Sequence, residues 1–186
     1  MSTRIKGQAR IAFPVLFTPE PFEPGSEPRW CADFLIPKGS DLEKAIEKAV
    51  KDEAAATWGK GWEKALEGMR NNNNKCAWRD GDLSKYESNE GHMIISTKRR
   101  LKDGPPAVIN RDRSALAEKD GVIYAGAVVN FNIDVWAQKG QYQGIRATLN
   151  GVQFVKDGDS FGGAARIAAD NFDDLGVDTE EADDLA

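Results

Sequence analysis

Histidine is nearly missing from this chain: among 186 residues there is only His92. Hydrolytic triads need an imidazole or an equivalent base beside a nucleophile, so a catalytic role of that kind has little to build on, and His92, inside an expected strand, reads as structural. Cysteine is scarce too. Cys31 and Cys76 lie too far from each other and from His92 to resemble a zinc-ligand cluster, and two cysteines in a chain of this size read as reduced thiols. No phosphate-cradling Walker sequence is present, and no apolar run approaches the roughly 18 residues of a membrane span. The first residues, Met1 to Gln8, lack the hydrophobic stretch of a signal peptide. The expectation is a cytoplasmic protein without cofactor, metal or membrane partner.

Basic residues are absent from the last seventeen positions, Asp170 to Ala186, which carry eight acids. The remainder holds 22 acids against 25 bases, so the net charge of −5 averages a body near +3 and a tail at −8. A mildly basic body can hold a polyanion while an acidic terminus addresses a second partner or competes for the same site.

Strand signals dominate the pattern. From Arg4 to Phe13, Ile5, Ala9, Ile11 and Phe13 alternate with Arg4, Lys6, Gln8 and Arg10, as in a half-buried strand. Thr18 to Pro28, with four prolines, reads as a loop. Arg29–Ile36 is again a strand, with Trp30, Ala32, Phe34 and Ile36 on one face. Ser40 or Asp41 caps a helix whose apolar side is Leu42, Ala45, Ile46, Ala49 and Val50; Glu43 completes a possible capping box. A second helical piece follows the Gly59-Lys60-Gly61 break, and Asn71–Asn74 is a loop. Further strands are expected at His92–Arg99, Ala107–Asn110, Val122–Gln138 and Gln143–Val155, the last two as a hairpin.

Two chemistries compete for the polar residues. Asp80-Gly81-Asp82 is first a turn; read otherwise, its carboxylates make a two-acid magnesium site for a nuclease. The other chemistry is nucleic-acid binding. Arg4, Lys6 and Arg10 form a basic stripe, and Lys98, Arg99, Arg100 and Lys102 a second cluster. Trp136 falls on the polar face with Asn130, Asn132 and Asp134, Trp78 adjoins Arg79 in the loop Ala77–Asp82, and Tyr142 sits in the hairpin turn. Aromatics on a polar sheet face beside cations have the composition of a single-strand stacking platform. Trp30, Phe34, Phe131 and Phe154 read as core.

Several stretches resemble the OB-fold single-stranded DNA-binding proteins of tailed bacteriophages. They are Trp78–Asp82, Gly91–Ser96, Ile123–Val128 and above all Gly144–Gly158, followed by Phe161-Gly162-Gly163 and an acidic tail with Phe172. The resemblance implies a mainly β fold, a five-stranded Greek-key barrel over residues 1–165, with a helical insertion after the second strand at about 40–70. A disordered acidic tail over 166–186 follows. It also implies sequence-independent binding of single-stranded DNA in phage replication, recombination or repair within the bacterial cytoplasm. On this reading phosphates are held by Arg4, Lys6, Arg79, Lys98, Arg99 and Arg146, and bases stack on Trp78, Trp136, Tyr124 and Tyr142. Tail residues Phe172, Asp173, Asp174, Asp183 and Asp184 would dock phage or host replication proteins. The chain ends in Leu185-Ala186, where such proteins often end in an aromatic residue. A phage structural β-protein without nucleic-acid binding is the third reading.

Overall fold

A computed structural model describes residues 1–161. Its longest strand, β1 (Thr3–Glu20), pairs on one side with β2 (Arg29–Pro37) and on the other with β6 (Val128–Gln138), both antiparallel. Next to β2 lies β4 (His92–Arg100), and β6 forms the expected hairpin with β7 (Gly144–Lys156). A single parallel pairing, Lys98 with Thr148, joins β4 to β7 and closes the ring β1-β2-β4-β7-β6. This is the five-stranded OB arrangement. Two short strands flank it: β3 (Trp78–Asp80) on β4 and β5 (Ala107–Ile109) on β7.

The interior is filled by the alternate residues that face inward. Ile11, Phe34, Ile36, Ile95, Val129, Ile133, Val135, Ile145 and Leu149 are all fully buried, and Phe34 stacks on Phe131 with centroids 4.6 Å apart. Between β2 and β4 runs the helical insertion, α1 (Asp41–Trp58) and α2 (Trp62–Met69). The α1 residues Ile46, Ala49, Val50 and Ala54 join the barrel core. Ser40 caps α1 by accepting from the Glu43 amide at 3.2 Å, and the Glu43 carboxylate accepts from the Gly39 amide. The Trp58 indole donates to the Gln138 carbonyl at 3.0 Å and ties the far end of α1 to β6. No described helix is long and apolar enough to cross a membrane.

Some expectations need correction. The first loop starts only after Glu20, because β1 carries Pro14 and Pro19 in the irregular stretches where its ladder with β2 shifts register. Phe13 is not core: at φ 47° it bulges outward and is 52% exposed. Residues 122–127 are irregular rather than strand, with Gly126 at φ 109° ending the approach to β6. Trp78–Asp80 is strand rather than loop.

Candidate nucleic-acid interface

The closing pair Lys98–Thr148 lies in the floor of a groove of about 780 Å³. One wall comes from the β1–β2 connection and the end of β4, the other from β3, the loop before it and the β6–β7 hairpin. On β4 the outward residues Ser96 and Lys98 face it, on β3 Arg79, on β6 Trp136, and on β7 Arg146 and Thr148. Seven cations line it (Arg29, Arg79, Lys98, Arg99, Arg100, Lys102 and Arg146) against two carboxylates, Glu23 and Asp103. Among the described residues, none of the seven makes an ion pair with a carboxylate; every such pair lies elsewhere.

The guanidinium groups are anchored instead on neutral acceptors. Arg79 donates to the Cys76 carbonyl and the Ser96 hydroxyl at 3.1 and 2.9 Å. Arg146 reaches the Asn74 and Tyr142 carbonyls at 2.7 and 3.1 Å, tying the insertion to the hairpin. Arg99 donates to the Gly104, Leu149 and Asp103 carbonyls. Such bonds fix position without cancelling charge, so the positive field remains. Desolvation, then repulsion from Arg29, Arg146 and Arg79, holds the Lys98 ammonium below the ordinary lysine range. A phosphate set among these groups relieves that repulsion.

Three aromatic rings border the same space. The Trp136 indole is partly buried and oriented by a 3.1 Å bond to the Thr148 hydroxyl. Tyr142 is 66% exposed and Phe22 69% exposed. Arg29 lies 5.0 Å and Lys98 5.7 Å from the Phe22 ring centroid, which makes Phe22 a groove residue that sequence reading missed. Phe22 belongs to the proline-rich connection, where no periodicity singles out an aromatic.

A family model described as the ssDNA-binding protein of Enterobacter phage Enc34 matches residues 3–186. The chain belongs to that family. It is 36% identical over 174 residues to a curated phage protein, the "Putative protein p50" of Acyrthosiphon pisum secondary endosymbiont phage 1, covering 92% of this chain and 93% of that one. Among solved structures it is similar to the single-stranded DNA-binding protein of bacteriophage Enc34 in complex with ssDNA. That match has a TM-score of 0.70 at 27% identity, over 86% of this chain and 89% of the other. The single-stranded DNA-binding protein gp2.5 of bacteriophage T7, at 14% identity and a TM-score of 0.54 over 98% and 99% of the two chains, shares the fold.

Of the ten DNA-binding residues expected from sequence, the groove gathers six: Arg79, Lys98, Arg99, Trp136, Tyr142 and Arg146. The other four lie outside it. Trp78 is 1% exposed, its indole donating to Glu47 at 2.8 Å beneath α1, so no base can stack on it. Arg4 is paired with Asp134 at 2.9 and 3.1 Å on the outer β1–β6 face. Lys6 borders a separate concavity of about 600 Å³ with Asn130, Asn132 and Gln153. The Tyr124 hydroxyl is bonded to both the carbonyl and the amide of Gly158, at 2.8 and 3.0 Å. Tail residues Phe172, Asp173, Asp174, Asp183 and Asp184 lie outside the described residues.

The Asp80-Gly81-Asp82 segment leaves the end of β3 in a single 3-10 turn capped by Asp80. Lys38 Nζ sits 2.5 Å from both carboxylates, and Lys38 together with the Gly91 amide holds the Asp82 carboxyl below its ordinary range. These two acids already share one ammonium between them, which disfavours the nuclease reading. His92 donates from Nδ1 to the Glu90 carbonyl at 2.7 Å, a structural contact.

Proposed function

We propose that this protein binds single-stranded DNA along the groove, with little sequence preference and without catalysis. The observation that carries the reading is the meeting of seven cations, none of them ion-paired to a carboxylate among the described residues, with Phe22, Trp136 and Tyr142 across the cleft between the β1–β2 and β6–β7 connections. In OB barrels that cleft is where oligonucleotides bind. The cations track the backbone, while the rings accept bases of any identity because every base has a π-face. The structure of the Enc34 relative in complex with ssDNA supports the same reading. A barrel of this kind serves phage DNA replication, recombination or repair in the host cytoplasm. The acidic tail, Asp170 to Ala186, docks phage or host replication proteins and leaves the groove to DNA.

The test is fluorescence anisotropy with single- and double-stranded oligonucleotides at two salt concentrations. Single strands bind more tightly, and log K falls with log salt at about −0.7 per neutralised phosphate. A flat salt response, preference for duplex, or magnesium-dependent loss of the labelled strand refutes the reading.

A further inference from the structure

The connection of residues 81–91 does not stay beside β3 and β4. Tyr86 packs on Phe13 of β1, with ring centroids 5.1 Å apart at a 60° tilt. Since β2 and β4 lie between β3 and β1, this link passes over the outer face of the sheet. Leu35 and Ile94 are in register with each other on that face and stand outside the barrel core. They are nonetheless 2% and 5% exposed.

Strand register connects the groove to this link across the outer face of β4, β2 and β1. Ser96, in the groove wall, is in register with Asp33 of β2, and Asp33 with Ala12 of β1, next to Phe13. Two strand spacings, about 10 Å, separate Ser96 from Ala12. At the far end both rings stay open to solvent, Phe13 at 52% and Tyr86 at 42%. The Lys85 ammonium stands 5.2 Å from the Tyr86 centroid. Open rings beside an ammonium repeat the arrangement of Phe22 with Arg29 and Lys98. Phe13 holds its place at φ 47°, a conformation that L side chains rarely adopt, and this turns the ring out of the core toward Tyr86. Observed backbone strain of this kind clusters at ligand-binding positions.

We infer that Phe13 and Tyr86, with Lys85, form a second stacking subsite for single-stranded nucleic acid, which receives a base after the strand leaves the groove past Arg79 and Ser96. This inference rests on the single-stranded DNA reading of the groove. OB folds contact roughly 4 to 16 nucleotides, and the second subsite places this one beyond the lower end of that range.

The test uses the full chain and oligo-dT of two lengths, about 5 nucleotides to fill the groove alone and about 12 to reach both sites. Tyr86→Ala and Phe13→Gly are the variants; glycine accepts the positive φ, so the second removes the ring without backbone strain. Each weakens the longer strand by about tenfold, the scale of one lost stacked base, and leaves the shorter strand unchanged. Trp136→Ala weakens both lengths, and if it weakens neither, the groove reading fails by itself. A 12-mer carrying 5-iododeoxyuridine then decides the subsite independently, through photocrosslinks to Tyr86 or Phe13 mapped by mass spectrometry. Unchanged affinity for the longer strand, equal loss at both lengths, or absence of crosslinks at both residues overturns the inference. So does a variant that changes sedimentation of the free protein but not its affinity, since the rings would then join copies of the chain.

Discussion

Replacing Lys98 by methionine keeps the unbranched stem of the side chain and removes its charge. In the folded protein the ammonium is penalised first by desolvation and then by Arg29, Arg146 and Arg79. A lysine whose folded value lies below its unfolded one costs stability at neutral pH, and that cost fades as pH rises through the two values. Lys98→Met therefore raises Tm at neutral pH, with a gain that shrinks in alkaline buffer. Binding moves the opposite way. Losing one phosphate contact on a single strand reduces the slope of log K against log salt by about 0.7. Between 50 and 200 mM salt this makes the affinity loss about 2.6-fold larger at the lower concentration. Thermal melts across pH and anisotropy titrations at the two salts measure both effects. A variant with lower Tm, or with wild-type affinity and slope, refutes the picture of an anion site held under repulsion.

The tryptophans separate core from surface. Trp78→Ala costs about 3–5 kcal/mol of stability, as loss of a buried aromatic does, while Trp136→Ala leaves the denaturation midpoint near wild type and weakens binding of single strands. Asp33 faces Arg79 and Lys98, and burial pushes its carboxyl above the ordinary range against the opposing pull of Ser96 and these cations. Ionised Asp33 thus costs stability at neutral pH, a cost that falls away as pH drops through its folded value. Asp33→Asn should raise Tm at neutral pH more than at acid pH and tighten DNA binding, read by melts and titrations at both pH values.

How far the sequence could be read depended on the range of the interactions. The strand Val128–Gln138 was legible because Val129, Phe131, Ile133 and Val135 alternate with polar residues, and all four are buried. The Ser40 cap and the helical insertion were legible from signals within a few residues. Arg4 looked like a free cation because its partner, Asp134, lies 130 positions away. Trp78 looked like a surface ring beside Arg79, yet its burial depends on α1 and on Glu47, 31 positions earlier. Phe13 kept the period-two pattern but sits where the ladder slips, and a bulge leaves no trace in alternation. The groove cations of β4 were legible as a cluster, whereas Phe22 joined them only when the barrel closed.

The stretches that carry the family resemblance do not all lie at the groove. Ile123–Val128 and the end of Gly144–Gly158 form a latch away from the groove. The Gly158 amide and carbonyl both bond to the Tyr124 hydroxyl, and the Phe161 amide donates to the Ala125 carbonyl at 3.1 Å. Gly126 and Gly158 cross so closely that a Cβ on Gly126 would lie 2.1 Å from the Asp159 carbonyl oxygen, and one on Gly158 would lie 2.2 Å from that of Gly126. Arg10 donates to the Gly126 and Asp159 carbonyls and packs its guanidinium 4.1 Å from the Phe161 centroid. These residue types are required by close backbone contact, which fixes the course of the chain up to Phe161. Arg10 is in register with Leu35, on the outer face that Phe13 and Tyr86 also occupy. The last described residue, Phe161, is thus held against β1 on that outer face, away from the groove.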